Sequence, residues 1–120
     1  RVEAKLKLSR DASHYRVYVS PQGKPCVTEY EVVAEFLAPD GAAVSQLRCS
    51  PVTGRTHQIR AHMAHLGCPL VGDGKYGSRG ATRRQFEWCP RLFLHCARVA
   101  LVDPGTDQRI EARCPLPEEL

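Results

Sequence analysis

A chain of 120 residues has room for one domain at most. With 42% hydrophobic and 25% charged residues it has the composition of a folded protein rather than a disordered one, and no apolar run approaches the roughly 18 residues of a membrane helix. The formal net charge of +4 admits an anionic partner without identifying one. Six cysteines (26, 49, 68, 89, 96 and 114) are irregularly spaced and include no Cys-x-x-Cys. Neither an initiator Met nor a signal-like apolar stretch opens the chain. These features lead us to expect reduced thiols, most of them small buried hydrophobes, in the cytoplasm or an organelle (mitochondrion or plastid). They also lead us to expect a chain cut from something longer.

The first 38 residues have a period near two. Tyr15 to Val19 alternates, and Val27 to Leu37 is rich in β-branched and aromatic residues, so both runs are expected strands, separated by the turn Pro21-Gln22-Gly23-Lys24-Pro25. Pro39-Asp40-Gly41 is a tight-turn signal, and Ala43 to Cys49 returns as the second arm of a hairpin. The pattern then changes. After the loop Pro51 to Arg55, Thr56 suits a helix N-cap, and Ile59, Met63 and Leu66 recur at spacings of four and three on one face. Gly67 and Pro69 stop the pattern, giving a helix over about 56–66. Gly72 to Gly77 reads as a glycine-rich loop and 78–90 as polar, basic and irregular. Leu92 to Val102 is an apolar segment, Asp103-Pro104-Gly105 a turn, and Arg109 to Cys114 an edge strand ended by Pro115 and Pro117. Strands, one helix, a loop and further strands make an α+β fold with a mostly antiparallel mixed sheet.

The densest chemistry lies in Thr53-Gly54-Arg55-Thr56-His57-Gln58-Ile59-Arg60-Ala61-His62. Gly54 lets backbone approach another group, and the opening turn of a helix offers free N–H groups and a positive dipole end. Arg60 lies about 100° around the axis from Ile59, so one can face a site while the other packs. Such a place suits a carboxylate or phosphate, although arginines on an ordinary helix surface share the spacing. Between Arg55 and Arg84 six basic residues (55, 60, 75, 79, 83, 84) stand against one acid, Asp73. That concentration fits contacts to a nucleic-acid backbone better than diffuse solubility does. His57, His62, His65 and Cys68 have spacings that zinc could use, but the remaining cysteines are too scattered to complete a structural site, and no metal is expected. The loop at 72–77 has neither the Gly-Lys-Ser/Thr ending nor the G-x-G-x-x-G spacing of a nucleotide cradle, and no Gly-x-Ser-x-Gly occurs.

In chain order these segments resemble the C-terminal half of an RluA-type RNA pseudouridine synthase, over roughly residues 20–118. Gly23 to Val32 is similar to that family's strand entry after its active-site tyrosine segment, and TGRTHQIRAH (Thr53 to His62) to its arginine motif. Leu66 to Gly77 resembles the segment that follows, Arg91 to Cys96 the later Leu-His-Ala motif, and Cys114-Pro115-Leu116-Pro117 the closing strand. Cys68 and Cys96 stand where the family often has His and Ala.

The resemblance implies an enzyme that isomerises uridine to pseudouridine in ribosomal, transfer or messenger RNA, without cofactor or metal. In that family an aspartate attacks or deprotonates the ribose, and uracil is detached, turned and rejoined through carbon. It implies that Arg60 partners this aspartate and that Leu94 is an apolar contact near the uracil. Arg55, His57 and Gln58 would shape the site and meet RNA, and Lys75, Arg79, Arg83 and Arg84 would add RNA contacts. The family's Arg-Leu-Asp does not occur here, and Tyr15 and Tyr18 lack the Lys-x-Tyr setting of its active-site tyrosine. Residues 1–120 are therefore expected to be a partial catalytic domain, inactive alone and monomeric when full length. Asp73 is expected to hold its own loop. The alternative is a non-catalytic RNA-binding module that keeps the scaffold.

Overall fold

A computed structural model of the chain describes residues 1–11 and 14–118. In order, β1 (Val2–Glu3), β2 (Leu6–Asp11), β3 (His14–Val19), β4 (Val27–Leu37) and β5 (Ala43–Pro51) precede α1 (Gln58–His65) and α2 (Arg79–Gln85), and β6 (Arg98–Val102) and β7 (Arg109–Arg113) close the chain. The α+β class read from the sequence is what the structure shows. Every pairing among the described strands is antiparallel, and the strands form three sheets: β1-β4-β5, β2-β3 and β6-β7.

The expected hairpin forms from β4 and β5, with Tyr30 opposite Cys49 and Phe36 opposite Val44. Its register slips between Val32 and Ala34, so Val33 is an extra residue that bulges and twists the ribbon. The turn at Gly41 takes φ 79°, the left-handed conformation for which glycine carries no steric cost.

Helix α1 is shorter than the expected 56–66, and its start is built differently. His57, not Thr56, occupies the N-cap position, in a left-handed conformation (φ 50°, ψ 26°) with no side-chain cap. The C-terminus ends as expected. Gly67 at φ 82° lets the Cys68 N–H reach the Met63 carbonyl at 3.0 Å, closing the last turn. The buried face is also not the apolar stripe alone. Gln58, Ala61 and His62 point inward with Met63, while Leu66 is exposed. Two polar side chains four residues apart can face inward because β4 supplies partners for both.

Those partners form one directional chain. The Thr53 hydroxyl donates to Gln58 Oε1 (2.7 Å), and Gln58 Nε2 donates to Thr28 Oγ1 (3.0 Å) and to the Val27 carbonyl (2.9 Å). Thr28 Oγ1 is bonded to His62 Nδ1 (2.9 Å), and His62 Nε2 to the Ala4 carbonyl (3.2 Å). With Thr28 accepting from Gln58 and donating to His62, every member is satisfied, as buried polar groups must be. The network ties the N-terminal segment, β4, the loop and α1 into one body. Beside it, Leu6, Val17, Cys26 and Ala61 make the core between the β2-β3 ribbon and α1, with Val19 and Tyr76 packed against them.

The segment read as irregular contains α2, capped by Ser78, whose hydroxyl accepts the Ala81 N–H. Only Thr82 of that helix is buried, so no apolar period marks it in the sequence. The apolar segment from Leu92 to Val102 becomes strand only at Arg98. Residues 91–94 instead run against the glycine loop, where the Phe93 N–H bonds the Val71 carbonyl at 2.9 Å. That approach requires Gly72, because a Cβ there would sit 2.2 Å from the Arg91 carbonyl oxygen and its φ is +70°. All six cysteines are free thiols. Cys26 and Cys89 are buried, but Cys68, Cys96 and Cys114 are exposed and Cys49 is intermediate, so the expectation of mostly buried cysteines does not hold.

Candidate active-site cleft

A cleft of about 370 Å³ opens where the end of β5, the 53–57 loop and the first turn of α1 meet residues 92–94. Pro51, Thr53, Gly54, Arg55, His57, Gln58, Ile59, Arg60, Leu92 and Leu94 line it, predominantly with apolar surface and a few polar groups, a character typical of a ligand-binding cleft. Arg60 and Ile59 both reach this space, so the two do not divide between site and core as their angular separation suggested. Leu94 also lines the cleft, on the segment that packs closely against Gly72.

Arg60 is the most constrained charge in the cleft. Its Nε donates to Asp73 Oδ2 at 2.9 Å and its Nη2 to Asp73 Oδ1 at 2.7 Å, a fork-on-fork ion pair. The Asp73 side chain is wholly buried and the arginine 18% exposed, so water screens the pair little. Asp73 Oδ1 also accepts the N–H groups of Lys75 and Tyr76, both at 3.0 Å. Burial alone would push this carboxyl up, but the Arg60 guanidinium and the two N–H groups outweigh it and hold the carboxyl below its usual value. The bond to Asp73 in turn raises Arg60 above its ordinary value, against the opposing effect of burial.

Tyr76 connects this pair to the rest of the site. The Arg60 guanidinium carbon lies 5.1 Å from the centre of its ring, within cation–π range. The Tyr76 hydroxyl accepts the Val17 N–H at 3.0 Å, which leaves its own proton for His57 Nδ1 at 3.1 Å. His57 stands edge-on to the same ring, 5.7 Å between centroids. Burial and then the positive charges of Arg60 and Lys75 push the His57 imidazole below its usual pKa, partly offset by Asp73. It is therefore neutral at pH 7. Its left-handed backbone is unusual for a residue with a side chain and costs of order 1–3 kcal/mol, tolerated here because Tyr76 and the helix start fix the residue from both sides.

The residues singled out from the sequence thus fall into two groups. Arg55, His57, Gln58, Arg60 and Leu94 surround the cleft, whereas Lys75, Arg79, Arg83 and Arg84 are not in its lining. Gln58 is 4% exposed, and its amide is fully used by Thr53, the Arg55 N–H, Val27 and Thr28. It holds the loop in shape and has no bonding capacity left for a partner. His62 likewise uses both ring nitrogens in the core, consistent with burial lowering its pKa. Sequence reasoning missed two members of the site: Asp73 as the partner of Arg60, and Tyr76. A signal existed for the first, since Asp73 is the lone acid in the basic run from Arg55 to Arg84. None marked Tyr76, whose ring matters only once the loop has folded onto α1.

A family model described as RNA pseudouridylate synthase matches residues 1–65, a span that includes Arg60. The chain is 40% identical over 106 residues to ribosomal large subunit pseudouridine synthase C of Vibrio cholerae, covering 87% of this chain and 32% of that protein. A protein of the same name from Escherichia coli is 40% identical over 107 residues, with the same coverage of 87% and 32%. Among solved structures, human RNA pseudouridylate synthase domain containing 1 superposes with a TM-score of 0.73 at 30% identity, over 97% of this chain and 48% of that one. The chain therefore spans about a third of the length of the curated relatives it matches.

Proposed function

This chain belongs to the RNA pseudouridylate synthase family, and on that premise we propose that it forms the arginine-bearing half of a pseudouridine synthase active site acting on structured RNA. Ribosomal RNA is the substrate class favoured by the names of the relatives. One observation carries the reading: Arg60 stands at the cleft with Nε and Nη2 committed to Asp73, while Nη1 makes no bond among the described residues. A carboxylate contributed by the rest of the enzyme can bind there. Its pairing with the arginine keeps it ionised at neutral pH, in the state needed to attack or deprotonate the ribose. The reaction breaks the bond from C1′ to N1 of uracil and makes one from C1′ to C5. The C5 proton leaves and N1 gains one, so the product is an isomer.

Leu94 supplies an apolar wall against the uracil, and Arg55 and His57 shape the entrance. The basic residues on and before α2, with Arg79, Arg83 and Arg84 exposed and Lys75 half-buried, lie outside the cleft lining, which suits contacts to phosphates rather than to the base. A uridine inside a helix must leave its stack to reach the cleft, which favours sites already unpaired or distorted. In the full-length protein, Arg60→Ala is expected to reduce pseudouridine formation on ribosomal RNA below detection, while RNA binding at a fixed salt concentration changes less than about threefold. Turnover at the wild-type rate in that variant would refute the reading. RNA binding by the wild type without any isomerisation would favour a module that has kept only the scaffold.

A further inference from the structure

An arginine side chain has four soft torsions, and ordering it costs conformational entropy that something must offset. Here the guanidinium is held on one edge by the Asp73 carboxylate and on one face by the Tyr76 ring. Asp73 can serve as a fixed anchor because it is itself immobilised: its side chain is fully buried, and Oδ1 is tied to the Lys75 and Tyr76 N–H groups two and three residues on. Tyr76 is fixed in turn by the Val17 N–H and by His57. The loop carrying both residues is pinned as a unit, since a Cβ at Gly77 would fall 2.7 Å from the Asp73 carbonyl oxygen and one at Gly72 would strike Arg91.

We propose that Asp73 is a positioning residue for the reaction: by taking Nε and Nη2 it turns the guanidinium so that the Nη1 edge alone meets the carboxylate contributed by the rest of the enzyme. This inference rests on the reading of Arg60 given above and assigns Asp73 a part beyond holding its own loop. An aspartate is needed because all four donors, two from Arg60 and two from the backbone, require acceptors. Asparagine retains Oδ1 for the Lys75 and Tyr76 N–H groups but sets an amide N–H against the Arg60 Nε–H, donor against donor.

Asp73→Asn in the full-length protein therefore separates the two roles, since it keeps the loop bonds and breaks the fork. The expected result is a fall in kcat of about 10²-fold, as for other misplacements of a reacting group by an ångström or so, with KM for ribosomal RNA unchanged within twofold. In an Arg60→Lys background, where no fork exists to be broken, the same substitution is expected to lower kcat less than threefold. An equal fall in both backgrounds would mean that Asp73 acts only on the loop, and would overturn the inference. Wild-type kcat for Asp73→Asn, with Arg60→Ala inactive, would overturn it while leaving the proposed function standing. An active Arg60→Ala would instead remove the reading on which it rests. Should Asp73→Asn fail to fold, Asp73→Glu keeps the charge while lengthening the arm. Its kcat is then expected to drop about tenfold at unchanged KM, and an unchanged kcat would overturn the inference.

Discussion

Gly72 shows how one residue sets the geometry of a site to which it contributes no functional group. Its φ of +70° and the 2.2 Å that would separate a Cβ from the Arg91 carbonyl oxygen are both demands that only glycine meets. Because the chain can pass so closely, Phe93 bonds Val71 and Leu94 reaches the cleft wall. Gly72→Ala is expected to destabilise the folded protein by at least about 2 kcal/mol, from the left-handed backbone and the clash combined. Urea unfolding of the full-length variant checks this, and an unchanged midpoint would show that the loop can relax away from Arg91. The same scale sets what could be read in advance. Arg60 could be singled out from its place in TGRTHQIRAH. Its actual partner lies thirteen residues later on a different element, and a pairing between a helix and a loop leaves no trace in periodicity.

At the scale of elements, the hydrogen-bonded chain from Thr53 through Gln58, Thr28 and His62 to the Ala4 carbonyl decides how α1 sits on β4. Thr28→Val removes its central hydroxyl at nearly constant volume, leaving a Gln58 N–H and His62 Nδ1 without partners. A loss of about 2–3 kcal/mol is expected, against a few tenths for the exposed Thr106→Val. The network also makes stability depend on pH. His62 is held neutral chiefly by burial, against the opposing pull of the Ala4 carbonyl, so its folded pKa lies below the unfolded value near 6.5. As pH falls through 6.5, the unfolded chain binds a proton that the folded chain refuses, and stability declines. His57 has the same sign. The thermal midpoint is expected to fall between pH 7.5 and 5.5, and to fall less steeply in His62→Gln; equal slopes would place the titrating groups elsewhere. Legibility differed sharply among elements. Alternation and a Pro-Asp-Gly turn made the β4-β5 hairpin plain. Helix α2 hid behind RGATRRQ, which buries one threonine, and only Ser78 as a cap marked its start.

The whole molecule is too open for its size. It exposes 8719 Å², where a compact monomer of this mass would expose about 6,500 Å². Its radius of gyration is 16.0 Å against about 14 Å for a compact domain of 120 residues. Many large apolar side chains stand exposed on the β4-β5 and β6-β7 hairpins: Val32, Phe36 and Leu37 on β4, Val99, Leu101 and Val102 on β6, and Ile110 on β7. One face of β6-β7 is wholly apolar, with Val99 and Leu101 opposite Ala112 and Ile110, while the other carries Arg98 and Arg113 bonded to Glu111, whose carboxyl is held down to about 2. Uncovered strands of this kind invite edge-to-edge association. The 120 residues expressed alone are expected to be poorly soluble and inactive, and a monodisperse product with a cooperative thermal transition would contradict that. Composition foretold a folded protein, and the motifs its family. The uncovered apolar faces of the hairpins emerge only when buried and exposed residues are compared.

The most direct test of the arginine's role is in the source cell. Pseudouridines in ribosomal RNA would be mapped by mass spectrometry in wild-type cells, in cells lacking the gene, and in cells complemented with the wild-type or Arg60→Ala full-length protein. The expected result is the loss of at least one pseudouridine with the gene, restored by the wild type and not by Arg60→Ala. Restoration by Arg60→Ala to the wild-type level would contradict the assignment of Arg60 and, with it, the account of the cleft.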